Sequence, residues 1–141
     1  MITLAIAADH AGFPLKQKLM NLDEYLWDDH GTHSTDPTDY PILARSIIPE
    51  VLSNRCAFGV LICGTGIGMS IAANRYKGIR AALCFNSEMA YLARTHNDAN
   101  ILVLGARTIS DDVAVECLKT FATTSFEEGR HLGRIHLLDI Y

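Results

Sequence analysis

Three short apolar runs, at residues 2–8, 58–63 and 101–104, constrain this chain most. None alternates apolar with polar residues, so neither face of such a segment is built for water. Strands of that kind belong to parallel sheets covered by helices on both faces. Helix-like stretches lie between them. Residues 13–22 carry Leu15, Leu19 and Leu22 on one side, and residues 40–52 have Pro41 in the first turn. Further helices are expected at 68–75, 87–94, 113–121 and 127–137, the fifth in chain order capped by Ser110 with Asp111 and Asp112 in its first turn. Residues 25–28 and 79–84 read as two more strands, and 31–39 as a polar, turn-rich loop. The alternation predicts an α/β fold with a parallel sheet, as one domain over residues 1–141.

The apolar fraction of 49% suffices for a substantial core. A mean hydropathy of +0.13 is high for a small monomer and points to a buried subunit interface. A net charge of −4 gives no footprint for nucleic acid or a membrane surface. The first apolar run is too short for a secretory leader, has no basic start and is closed by Asp9 and His10. No stretch approaches the ~20 apolar residues of a membrane span. Cysteines 56, 63, 84 and 117 form no C-x-x-C pair, which fits a cytoplasmic protein with free thiols.

The second run ends in Cys63-Gly64-Thr65-Gly66-Ile67-Gly68. That order reads as a buried strand, a tight turn and a helix start. It presents a thiol, a hydroxyl and several amides at the carboxyl end of a strand, where ligands bind in open α/β sheets. Clustered N–H donors beside a base suit chemistry that develops negative charge on oxygen. A cysteine facing a helix start and amides is typically more reactive than a core thiol, although buried cysteine is often only a small hydrophobe. The glycines are spaced G-x-G-x-G, which is neither the G-x-G-x-x-G of dinucleotide sites nor a Walker A loop; a small anionic ligand fits better.

Asp9 and His10 follow the first strand and share that sheet edge, as catalytic groups or as a cap and a solvated imidazole. His96 and Asn97 precede the strand at 101–104, as an ordinary turn or as a proton-transfer group held at the sheet. Arg130 and Arg134 are four apart on one helix face. They form either a solvated basic face or a clamp for phosphate, which a guanidinium pair matches well. His30 and His33 lack partners at ligand spacing, so no metal site is expected.

These segments together resemble the ribose-5-phosphate isomerase B family, which includes the galactose-6-phosphate isomerase subunits. The matching pieces run in order over nearly the whole chain. They are Asp9 to Gly12, Asp39-Tyr40-Pro41, Ile62 to Asn74, Lys77 to Ala82, His96 to Asn100, Leu104 to Arg107, and Phe126 to His131. The resemblance implies a three-layer α/β/α, Rossmann-like domain with a five-stranded parallel sheet in the order 2-1-3-5-4. It implies a homodimer or dimer of dimers with no metal or organic cofactor. The implied reaction interconverts ribose 5-phosphate and ribulose 5-phosphate, a step of the pentose phosphate pathway, through a cis-enediolate. By resemblance Cys63 is the base and Thr65 assists it. The amides of Gly64, Gly66, Ile67 and Gly68 stabilise the enediolate, and His96 opens the furanose ring. Asp9 and Asn97 bind sugar hydroxyls; His10, Arg130 and Arg134 bind phosphate; Arg107 reaches the phosphate of the neighbouring subunit's site. One family branch replaces the cysteine and carries glutamate where this chain has Met69, so this chain is of the cysteine type. Phe85-Asn86 stand where relatives often have His-Asp. The galactose-6-phosphate enzymes split the site between unlike chains, whereas base, ring opener and phosphate ligands here share one chain, which favours the pentose substrate. A 6-phosphohexose isomerase and a non-catalytic sugar-phosphate sensor are the alternatives.

Overall fold

The computed structural model describes residues 1–140. Its strands are β1 (Thr3–Ala8), β2 (Leu26–Asp29), β3 (Phe58–Cys63), β4 (Ala81–Leu83) and β5 (Ile101–Gly105). The helices are α1 (Phe13–Met20), α2 (Tyr40–Leu52), α3 (Ile67–Ala73), α4 (Ser87–Asn97), α5 (Asp111–Thr123) and α6 (Arg130–Leu137). All strand pairs are parallel, in the order β2-β1-β3-β5-β4. This is the sheet that the resemblance implies.

The apolar runs are continuous because both faces of the sheet are buried. Leu4, Ile6, Val60, Ile62, Leu102 and Leu104 pack with Leu15 and Leu19 of α1, Ala90 and Ala93 of α4, and Cys117, Leu118 and Phe121 of α5. The alternate residues Ala5, Ala7, Leu61, Cys63, Ile101 and Val103 pack with Ala44, Ile47, Ile48 and Val51 of α2 and with Met69 and Ala73 of α3. Side chains alternate between faces along a strand, so Cys63 is committed to the α2/α3 side. The strand order reverses between β1 and β3, which opens a crevice beyond their carboxyl ends.

Several element ends differ from expectation, each for a local reason. The segment at 79–84 becomes a strand only at Ala81, because the Ile79 N–H turns back to Tyr76 O and the Arg80 N–H goes to Asn100 Oδ1. The last helix starts at Arg130, because Glu128 and Gly129 have φ of 64° and 52°, outside any right-handed helix. Helix α4 runs past Arg94 to Asn97, ended by Asp98 at φ 45°. Its start is capped by Asn86, whose side chain accepts from Met89 N at 2.9 Å, so the departure at Phe85-Asn86 preserves a helix cap. Ser110 caps α5 as expected, accepting from Val113 N.

One buried charge ties α1 to β2. Lys16 is fully buried, with Nζ 2.5 Å from Asp29 Oδ1. Partial burial alone would raise the Asp29 carboxyl, but the Lys16 ammonium and the Gly31 N–H outweigh it and hold its pKa low. The carboxylate therefore stabilises the fold fully above the unfolded pKa of about 3.9, and that stabilisation is lost as pH falls through the lower folded value. Asp29→Ala would strand a buried ammonium and should cost about 3–5 kcal/mol. Lys16→Met leaves a carboxylate that is 24% exposed and should cost less. Urea unfolding of both variants at pH 7 checks this order; equal losses would mean that water reaches Lys16 once Asp29 is gone.

Candidate active site

The loops after β1, β3 and β5 are stitched together at the carboxyl edge. The Asp9 N–H bonds Ile62 O, the Ala106 N–H bonds Cys63 O, and the Arg107 N–H bonds Gly64 O at 2.8 Å. Such close approach leaves no room for side chains at two turns. A Cβ at Gly12 would lie 2.6 Å from Ile62 O. Gly66 has φ +81°, and its Cβ would meet Leu83 at 2.4 Å.

The result is an open cleft of about 490 Å³ lined by Asp9, Tyr40, Cys63, Gly64, Thr65, Ile67, Gly68, Ile71 and Arg107. The Cys63 thiol is buried at its floor, and Sγ accepts from Gly66 N at 3.1 Å. The Ile67 N–H goes to Thr65 Oγ1 at 3.2 Å. Two of the loop amides are thus already directed at the thiol and the hydroxyl. Asp9 is buried, and its Oδ1 accepts from Ala11 N and Gly12 N, both at 3.0 Å, which locks the carboxylate. His10 Nδ1 accepts from Thr38 N at 3.2 Å, so a neutral His10 carries its proton on Nε2, as a donor for an anion. Tyr40 closes over Gly68, where a Cβ would come within 2.7 Å of its ring. The role of Tyr40 and Ile71 in the cleft was not read from sequence; the only signal was the Asp39-Tyr40-Pro41 match.

The other three thiols have different surroundings. Burial pushes Cys84 up to about 12 and Cys117 to about 11; burial, then Asp28 and Glu50, pushes Cys56 to about 11. All four cysteines are free and buried, but Cys63 alone among them lines the cleft.

Arg107, expected at a neighbouring subunit's site, lies at the cleft of its own chain. Its backbone is bonded to Gly64 of its own chain, and its guanidinium lies 3.2 Å from where a Gly64 Cβ would stand. It therefore lines the cleft of its own Cys63. The reason is the strand order: β5 lies beside β3, with Cys63 paired to Gly105.

His96, Asn97, Arg130 and Arg134 are not brought to this cleft. His96 and Asn97 end α4, before β5 begins, at the amino edge of the sheet. The five-residue β5 rises about 3.3 Å per residue, so roughly 15 Å of sheet separates that edge from Cys63. His96 stacks there on His131, with ring centroids 4.3 Å apart and planes at 20°. Burial, then Arg130 and His96, lower the His131 pKa, against the pull of Glu127. Arg130 and Arg134 are exposed on α6 beside this pair. His96, Glu127 and His131 bring ligand atoms within 4.8 Å of one another. The guanidiniums of Arg130 and Arg134 stand alongside, and their positive charge opposes a bound cation.

A cavity of about 400 Å³ near this edge is lined by Asn74, Arg80, Asn97 and Asp139, among others. Two of its polar side chains are engaged elsewhere: Asn74 pairs with both backbone groups of Ala81, and Arg80 with Asp98 and the carbonyl of Asn97. Among the described residues no helix is long and apolar enough to cross a membrane.

Comparison with known proteins adds to this geometry. The ribose/galactose isomerase family model matches residues 4–138. A putative sugar phosphate isomerase of Rickettsia conorii is 45% identical over 138 residues, covering 94% of each chain. Ribose-5-phosphate isomerase B of Escherichia coli is 38% identical, covering 98% of this chain and 95% of its own. The crystal structure of a ribose 5-phosphate isomerase from Thermotoga maritima superposes with a TM-score of 0.96 at 51% identity, covering 98% of this chain and 97% of that one.

Proposed function

Because the chain belongs to the ribose/galactose isomerase family, we propose that it interconverts ribose 5-phosphate and ribulose 5-phosphate through a cis-enediolate. The observation that carries this reading is a buried thiol at a cleft floor, 3.1 Å from an amide donor, with Asp9 and Arg107 on the walls. Cys63 takes the proton from one carbon and returns it to its neighbour. Amides of the Gly64–Gly68 turn stabilise the oxyanion that forms, and Thr65 assists. His10 and Arg107 hold the phosphate, and Asp9 a sugar hydroxyl. No organic cofactor is needed for a proton shift of this kind.

The site is completed by a second copy. His96, Asn97, Arg130 and Arg134 lie across the sheet from Cys63, and the surface beside the cleft is apolar. Ile67 and Ile71 on α3, both lining the cleft, are 56% and 53% exposed. A homodimer that buries these side chains places the partner subunit's His96 and Asn97 over the sugar, and the partner's Arg130 and Arg134 near the phosphate. The partner's His96 then opens the furanose ring.

Substrate and role are tested together. In a coupled assay, ribose 5-phosphate should be turned over in clear preference to allose 6-phosphate; the opposite order would make the enzyme a hexose isomerase. No turnover of either would favour a sugar-phosphate sensor. Ribulose 5-phosphate has no free 5-hydroxyl and cannot form the furanose. His96→Asn should therefore cut the aldose-to-ketose rate severely and spare exchange of the C1 proton of ribulose 5-phosphate. Equal losses in both would place His96 in the enediolate step instead.

A further inference from the structure

His131 has no place in the chemistry described so far, yet it is built into the fold with care. It is 5% exposed, and its Nε2 is buried without a hydrogen-bond partner among the described residues, 3.6 Å from Glu127 Oε2. A buried polar ring atom left unpaired is unfavourable, so a leucine or phenylalanine would serve packing better. The ring instead lies flat against His96, at 4.3 Å and 20°. We propose that His131 is a positioning residue for His96, its buried ring setting the plane in which the His96 imidazole meets the sugar ring oxygen. The inference rests on the reading of His96 as the ring-opening group.

The surrounding structure holds His131 in place. Buried Arg94 donates from Nε to Thr124 O at 3.1 Å and from Nη1 to Ala99 O at 2.7 Å, clamping the end of α5 and the start of β5 to α4. The Glu127 N–H bonds Thr95 O at 3.1 Å, one residue before His96. The chain then reverses through Glu128 and Gly129, both at positive φ, and the His131 N–H closes onto Glu128 O. This turn lays the first turn of α6 across the last turn of α4. His96 itself is only half buried and ends a helix, so without the stack its ring is free to rotate. A proton-transfer group loses rate steeply when its ring plane is wrong, since productive geometry requires aligned donor and acceptor. The guanidiniums of Arg130 and Arg134 disfavour a charge on His131, which favours a neutral ring face against His96.

The test compares His131→Leu, which fills the buried volume without a flat face, with His131→Phe, which keeps the face without nitrogen. With ribose 5-phosphate, His131→Leu should lower kcat by about tenfold or more with little change in KM. Exchange of the C1 proton of ribulose 5-phosphate should stay within about twofold, and His131→Phe should recover most of the lost kcat. A purely structural role would lower both activities of the leucine variant together, and that result overturns the proposal. So does wild-type kcat in the leucine variant, or a phenylalanine variant as impaired as leucine. His96→Asn in the same two assays separates the failures. If it loses both activities equally, the reading of His96 is at fault; if it loses only the ring-opening rate while His131→Leu is silent, the positioning role alone is wrong.

Discussion

Cys63→Ser should lower turnover of ribose 5-phosphate by about 10³-fold or more while binding of a non-isomerisable sugar-phosphate analogue stays within a few-fold. Moving a carbon-bound proton needs a positioned base, and a serine hydroxyl does not ionise near neutral pH. The substitution keeps the size of the group, so the Gly66 N–H retains an acceptor and the turn retains its shape. On the proposed reading, Asp9, His10 and Arg107 still hold the ligand. Turnover within tenfold of wild type would remove Cys63 from the role of base. The same thiol should be the site of alkylation. With Cys56, Cys84 and Cys117 pushed to about 11, 12 and 11 and lodged in the core, iodoacetamide at pH 7.5 should modify Cys63 first. Modification and loss of activity should run in parallel, and substrate should slow both.

Complementation between inactive homodimers should show which residues share a chain at each site. Cys63→Ala and His96→Ala homodimers should both be nearly inactive. Unfolded and refolded together in equal amounts, about half of the dimers are mixed, and one site in each mixed dimer draws Cys63 and His96 from intact copies. Activity should return to roughly a quarter of wild type. The pair Cys63→Ala with Arg107→Ala should recover almost nothing, because Arg107 lines the cleft of its own Cys63 and every site of the mixed dimer keeps one defect. Recovery by the second pair and not the first would reverse the assignment, placing Arg107 across the interface and His96 at home.

Sequence and tertiary structure divided the remaining questions along a physical line. Continuous apolar runs are a local property, and they sufficed for the covered parallel sheet and for Cys63 at the end of one strand. The G-x-G-x-G turn is local too, since Gly66 at φ +81° answers a demand of its own backbone. Asp9 and His10 were legible because they follow β1 directly, and the carboxyl end of a strand lies where the strand stops. The far half of the proposed site was legible only as a set of residue types matching a family. Which edge His96 occupies depends on where α4 ends. Expected to stop at Arg94, the helix continues to Asn97 because Asp98 takes the left-handed cap and Arg94 bonds its side chain. That Arg107 lines the cleft of its own chain depends on β5 lying beside β3, so that the Arg107 amide meets Gly64 O. The contact between His96 and His131 depends on a chain reversal at Glu128 and Gly129, inside what reads as a helix from residue 127. Residue spacing carries the chemistry of a site, but strand order and the direction of each strand decide which of its groups one copy of the chain can bring together.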